Sequence, residues 1–111
     1  MNLFNWWKGR FTDRGKAVKL YRSGMELAKK KEHESAINDY SEAIKLSDEL
    51  PDVRAMALYN RALMYLAVED AKKATADLKT VLDMPKAPND IKIEAKQRLT
   101  RMKTKARMSS E

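Results

Sequence analysis

Two stretches of the chain decide its fold once they are laid on one another: LYRSGMELA at residues 20–28 and LYNRALMYL at residues 58–66. They lie 38 residues apart. Leu20 falls on Leu58, Tyr21 on Tyr59, Gly24 on Ala62 and Leu27 on Tyr65. Small residues meet small ones and large meet large. Both stretches place their apolar residues at steps of three and four, which is helical spacing rather than strand alternation.

The correspondence continues outward from these two copies. Ala36 falls on Ala74, Tyr40 on Leu78 and Ala43 on Val81. A second shift brings Val53 onto Ile91, Arg54 onto Lys92, Ala57 onto Ala95 and Met64 onto Met102. Two full units and a trailing half unit follow, each full unit a helical hairpin. In the first hairpin the stripes are Ala17, Leu20, Gly24, Leu27 and Ala28, then Ala36, Ile37, Tyr40, Ala43 and Ile44. In the second they are Leu58, Ala62, Tyr65 and Leu66, then Ala74, Leu78, Val81 and Leu82. Thr12 or Asp13 suits the cap of the first helix and Asp70 that of the fourth. Pro51 and Pro88 suit the entries to the third and fifth. Ile91, Ala95, Leu99, Met102 and Ala106 predict a fifth helix from residue 90 to about residue 107, with a basic outer face. The expected fold is all-α, an α-α superhelix of two hairpins and a C-terminal helix. Residues 1–12 form an aromatic arm, 13–107 the helical domain and 108–111 a disordered tail.

These residues resemble the tetratricopeptide repeat, whose units pair two helices on the pattern W-x2-L-G-x2-Y…A-x3-F…P. Leu20, Gly24, Leu27, Ala36, Tyr40 and Ala43 stand at the matching places of the first unit. Leu58, Ala62, Tyr65, Ala74, Leu78 and Val81 stand at those of the second. The likeness covers residues 17–107. Gly24 and Ala62 are the small residues that let two helices approach closely. The sequence departs from the pattern in three ways. Leu replaces Trp in both units, neither turn within a hairpin carries Gly, and four extra residues lie around Asp48–Pro51. A generic five-helix bundle is the alternative.

Composition narrows the function. The chain has 111 residues, no cysteine, one histidine and a net charge of +7. Disulfides, thiolate zinc sites and cysteine nucleophiles are excluded. His33 falls at the first turn, where a packing or solvated role is expected. The carboxylate pairs fall at helix ends, where the macrodipole favours them. No nucleophile–base pattern is present, so a non-enzymatic protein is expected, with no cofactor and no metal. No run of about 18 apolar residues predicts a membrane span, and a soluble, cytoplasmic protein is the expectation. Charge is uneven: +7 over residues 1–31, −5 over 32–85 and +5 over 86–111. Such ends can bind polyanions or a neighbouring copy's acidic middle.

In the family that this chain resembles, the first helix of each unit lines a concave surface. The resemblance therefore implies a partner-binding groove of Tyr21, Arg22, Met25 and Lys29 from the first unit, with Val18. The second unit offers Met56, Tyr59, Asn60 and Leu63, and the trailing helix Arg98 and Arg101, with Glu94, Gln97 and Lys105. Arg22, Asn60 and Arg98 share one place in successive units and suggest a polar ladder for a carboxylate or a peptide carbonyl. Arg61 is expected near the edge of the packed face, snorkelling outward. One subgroup of the family grips chaperone C-termini with Lys, Asn and Arg. Tyr21, Met25 and Glu94 break that set, so another acidic or C-terminal peptide is the expected ligand.

The arm, MNLFNWWKGRF, holds both tryptophans and both phenylalanines. It stays open between a hydrophobic cap on the first hairpin, a site for a partner or a second copy of the chain, and contact with an anionic membrane surface. The alternative function is polyanion binding through Lys29–Lys31 and the C-terminal run of Lys96, Arg98, Arg101, Lys103, Lys105 and Arg107. Aromatics for base stacking are missing from that run, which argues against nucleic acid. Self-association as a scaffold is the third reading.

Overall fold

The backbone closes into helices wherever the 3.6-residue stripe runs unbroken. In a computed structural model describing residues 3–110, with side chains from residue 13 onward, five helices follow one another. They are α1 (Leu3–Lys29), α2 (His33–Lys45), α3 (Pro51–Ala67), α4 (Ala71–Asp83) and α5 (Asn89–Ser110). Four boundaries recur 38 residues on: the ends Lys29 and Ala67, the starts His33 and Ala71, the ends Lys45 and Asp83, and the starts Pro51 and Asn89; the start of α1 at Leu3 has no such counterpart. The chain is all-helical, and consecutive helices pack on one another as in an α-α solenoid.

The turns repeat as well. Lys31 N–H bonds to Ala28 C=O and Glu32 N–H to Leu27 C=O; Glu69 N–H bonds to Leu66 C=O and Asp70 N–H to Tyr65 C=O. Both are Schellman closures, which need a left-handed residue at the turn. Lys31 (φ 61°) and Glu69 (φ 62°) supply it where glycine would do so without strain. Asp70 caps α4 by accepting from Lys73 N–H at 3.1 Å. Pro51 opens α3, where its missing N–H costs nothing. The residues around Asp48–Pro51 lie in the loop and the first turn of α3, not in α2.

Packing follows the small positions. A Cβ built on Gly24 would stand 2.6 Å from the Tyr40 ring, so α2 approaches α1 closely only because position 24 has no side chain. Tyr40 is buried and its ring lies 5.9 Å from that of Tyr21. Ala62 fills the matching place on α3 and is fully buried beside Leu78 in the core. Ala43, Leu58, Ala74, Val81, Ala95 and Leu99 join that core. Besides its neighbours in sequence, α3 touches α1 and α5, while α2 and α4 do not approach one another. The odd-numbered helices therefore form one continuous wall and the even-numbered helices splay behind it. The radius of gyration is 15.5 Å, against about 13 Å for a compact chain of this length.

The outer face of α5 is polar. The positions by which α1 meets α2 (Leu20, Gly24, Leu27) and α3 meets α4 (Leu58, Ala62, Tyr65) become Lys96, Thr100 and Lys103 on α5, all exposed. A polar face there meets water instead of another helix, which is what a terminal unit of a repeat stack requires.

Three expectations change. The first helix does not start at Thr12 or Asp13: α1 is continuous from Leu3, because Gly9 and Gly15 each cost only about 1 kcal/mol in a helix and no proline interrupts it. Helix also continues through Met108, Ser109 and Ser110, where a disordered tail was expected. Arg61 does not snorkel outward. It turns onto α4 and holds Asp77 with two hydrogen bonds. What the arm's side chains touch lies outside the described residues, so its three readings remain as the sequence left them.

Candidate peptide-binding groove

The wall of α1, α3 and α5 is knit by side chains that reach from one helix to the next. Arg14 meets Asp52 at 2.9 Å. Asn60 Nδ2 donates to the Tyr21 hydroxyl at 3.2 Å, and the Tyr59 hydroxyl donates to Glu94 at 3.4 Å. Tyr21 and Tyr59 are equivalent positions, and each reaches the next odd-numbered helix, Tyr21 as acceptor from Asn60 and Tyr59 as donor to Glu94, which is not the equivalent of Asn60. On α3, Tyr59 therefore points toward α5 and Asn60 toward α1. Met56 and Leu63, three and four residues from each, lie on the strip between those two directions. Both are half-buried. Val18 and Met25 hold the matching strip of α1 and are also half-buried, while Glu94 and Arg101 hold it on α5 and are exposed. The inner face is therefore an apolar floor over α1 and α3 that becomes charged on α5.

The ladder of Arg22, Asn60 and Arg98 is not uniform. Arg22 is exposed, and with Arg14, Gly15, Val18 and Lys19 it borders a trough of about 510 Å³ on α1. Asn60 uses both amide hydrogens within the fold, one to Tyr21 and one to the Met56 carbonyl at 2.9 Å. Only its carbonyl oxygen is left for a ligand. Arg98 is half-buried, and its buried Nε has no hydrogen-bond partner among the described residues. Leaving a buried donor unpaired costs about 1–3 kcal/mol, and a ligand acceptor would reach this Nε only by shifting the Arg98 side chain. Lys29 pairs with Glu26 at 3.4 Å, in the exposed last turn of α1. Arg22, Arg98 and Arg101 have no ion pair among the described residues, and the groove is electropositive.

Burial shifts the aromatic rungs. The Tyr40 phenol is pushed up to about 12, mainly by burial and secondly by Tyr21 beside it. Burial also raises Tyr21, against the Asn60 hydrogen bond that lowers it. Both rings therefore stay neutral and serve as packing and hydrogen-bonding groups. The hydrogen bond from Arg14 is the largest cause holding the Asp52 carboxyl below the usual carboxylate range.

Sequence reasoning missed a polar latch behind the groove. Arg61 Nε and Nη2 reach the two Asp77 oxygens at 2.8 and 2.7 Å, and Nη1 reaches Ser41 on α2 at 3.0 Å. The guanidinium also lies 5.5 Å from the centre of the Tyr65 ring. The repeat carried the signal: Ser23 and Asp39, 38 residues earlier, bond at 2.5 Å in the first hairpin.

Among the described residues no cluster of His, Cys, Asp and Glu is arranged to hold a metal ion, and no helix is long and apolar enough to cross a membrane. Set against known proteins, the chain matches no family model, no curated protein and no solved structure.

Proposed function

We propose that this chain is a two-unit module of the tetratricopeptide type, non-enzymatic, that holds an acidic segment of a partner protein along α1, α3 and α5. The family reading is supported by the common 38-residue displacement of helix boundaries, by the paired Schellman turns and by Gly24 against Tyr40. The observation that carries the binding reading is one wall that presents exposed Arg22 and Arg101 and half-buried Arg98, none with an ion pair among the described residues, beside half-buried Val18, Met25, Met56 and Leu63. A peptide crossing from α1 to α5 would lay apolar side chains on Val18, Met25, Met56 and Leu63 and set carboxylates or carbonyls against the guanidiniums. Tyr and Met surfaces adapt to such ligands.

The test is the affinity of an authentic partner segment, captured with the whole chain and then synthesised, at two salt concentrations. A charge-assisted hydrogen bond contributes about 1.5–3 kcal/mol, so Arg98→Ala and Arg22→Ala should each weaken binding by about tenfold or more. Lys72→Ala and Lys30→Ala, off the wall, should change it little. Equal losses for all four, vanishing at high salt, would replace this reading with diffuse polyanion attraction. The exposed stripe of Lys96, Lys103 and Arg107 on α5 is the feature that favours that second reading.

A further inference from the structure

We propose a second docking site, separate from the inner groove: the cleft between α4 and the C-terminal half of α5, which takes an acidic amphipathic segment of a partner protein. The repeat itself exposes this cleft. Along the seam between α2 and α3, Ser41 of α2 accepts from Arg61 of α3 at 3.0 Å, and His33 and Ile37, two turns and one turn before it, share that face of α2 and are half-buried. Their counterparts on α4 are Ala71 and Thr75. The larger side chains that occupy the first seam are thus replaced by a methyl group and a short hydroxyl side chain in the second. A cleft of about 570 Å³ opens there, bordered by Ala71 and Thr75 on one side and by Leu99, Met102 and Ala106 on the other, with Leu66 at one end.

The chemistry of the cleft selects its occupant. Leu66 and Met102 are half-buried and Leu99 is buried, so the floor is apolar and includes an adaptable thioether. Lys79, Lys103 and Lys105 also border the cleft, and none has an ion pair among the described residues. Glu69 is the one acid among the bordering residues. A cationic rim over an apolar floor is complementary to carboxylates flanking bulky apolar side chains. The cleft is partly open to solvent, so it admits side chains from a docked segment and does not enclose a small molecule. Two apolar side chains one helical turn apart would occupy the space that His33 and Ile37 take up in the first seam.

The probe is a fluorescein-labelled, helix-forming peptide with leucines four residues apart and glutamates on both flanks, titrated against the whole chain by fluorescence anisotropy. Ala71→His/Thr75→Ile restores the side chains of the first seam and should weaken binding by about tenfold or more. Lys79→Glu/Lys103→Glu should do the same through charge, so the proposal stays testable if the first variant folds poorly by circular dichroism. Arg98→Ala, which probes the inner groove, should leave affinity within about twofold. The proposal is overturned if the wild-type chain does not bind the peptide, or if the refilled variant binds it equally. It is also overturned if Arg98→Ala abolishes binding, which would place the peptide in the groove. The same variants would overturn it in two other ways: by reducing binding to anionic lipid vesicles with peptide affinity unchanged, or by abolishing self-association at sedimentation equilibrium with peptide affinity unchanged.

Discussion

Arg61 and Asp77 form a two-pronged ion pair between α3 and α4, with side chains only 20% and 8% exposed. Its counterpart in the first hairpin is a neutral donor, Ser23, on the equivalent acid, Asp39. One position of the repeat therefore latches the two helices of each hairpin, once by a hydroxyl and once by a guanidinium. Asp77 and the Tyr65 ring beside it hold Arg61 more firmly protonated than usual, the Asp77 hydrogen bond being the largest cause.

Removing one partner of a buried pair leaves the other charge uncompensated. Asp77→Ala should cost about 3–5 kcal/mol, read from urea midpoints at unchanged slope. Arg61→Ser, which installs the first hairpin's own solution, should cost less than Asp77→Ala. Equal midpoints for wild type and Asp77→Ala would mean that the latch contributes nothing.

Gly15 and Gly24 should respond in opposite directions. A methyl group at position 24 collides with the buried Tyr40 ring, and Gly24→Ala should destabilise by about 1–3 kcal/mol through overpacking. Nothing lies within 4 Å of a Cβ at position 15. Gly15→Ala should therefore stabilise by about 0.5–1 kcal/mol through helix propensity. Thermal melts of the two variants check both signs at once.

Lys31 and Glu69 hold left-handed conformations that cost an ordinary L-residue about 1–2 kcal/mol. Glycine removes that strain but loses more entropy on folding, so Lys31→Gly and Glu69→Gly should each stabilise by several tenths of a kcal/mol to about 1 kcal/mol. A lowered melting temperature for both would show that these side chains contribute something the turn geometry does not reveal.

Alkaline pH should weaken the fold through Tyr40. In the unfolded chain its phenol ionises near 10.0, and in the folded chain only near 12. Its contribution is fully present below about 10 and is lost as pH climbs toward about 12, amounting to about 2–3 kcal/mol. Urea denaturation across that range should show the decline, and Tyr40→Phe should flatten it. Acid acts on Asp52 with the opposite sign. Its carboxyl is held low by Arg14, so the pair's contribution is present above the ordinary carboxylate value and fades as pH falls through the lowered one. Both side chains are about half exposed, which limits this effect to about 1 kcal/mol or less.

Much of the architecture was legible before any coordinates. The 38-residue shift, the small residues at 24 and 62 and the apolar stripes gave two hairpins and a fifth helix, because helical phase is set by local spacing. The Asp70 cap and the Pro51 entry were legible for the same local reason. The beginning of α1 and the end of α5 were not, since single glycines and a short polar tail shift helix stability by amounts too small to decide a boundary. Asn60 and Arg61 mark the deeper limit. They are neighbours in sequence, and both looked available to a ligand or to water. In the structure Asn60 is spent on Tyr21, 39 residues away, and Arg61 on Asp77, 16 residues away. Sequence periodicity by itself determined which stripe of each helix is apolar and hence that the helices stack. The tertiary structure alone decided which polar groups meet, because that depends on the distance and angle between helices. Those are fixed by the packing of Gly24 on Tyr40 and of Ala62 in the core, and not by any local run of residues.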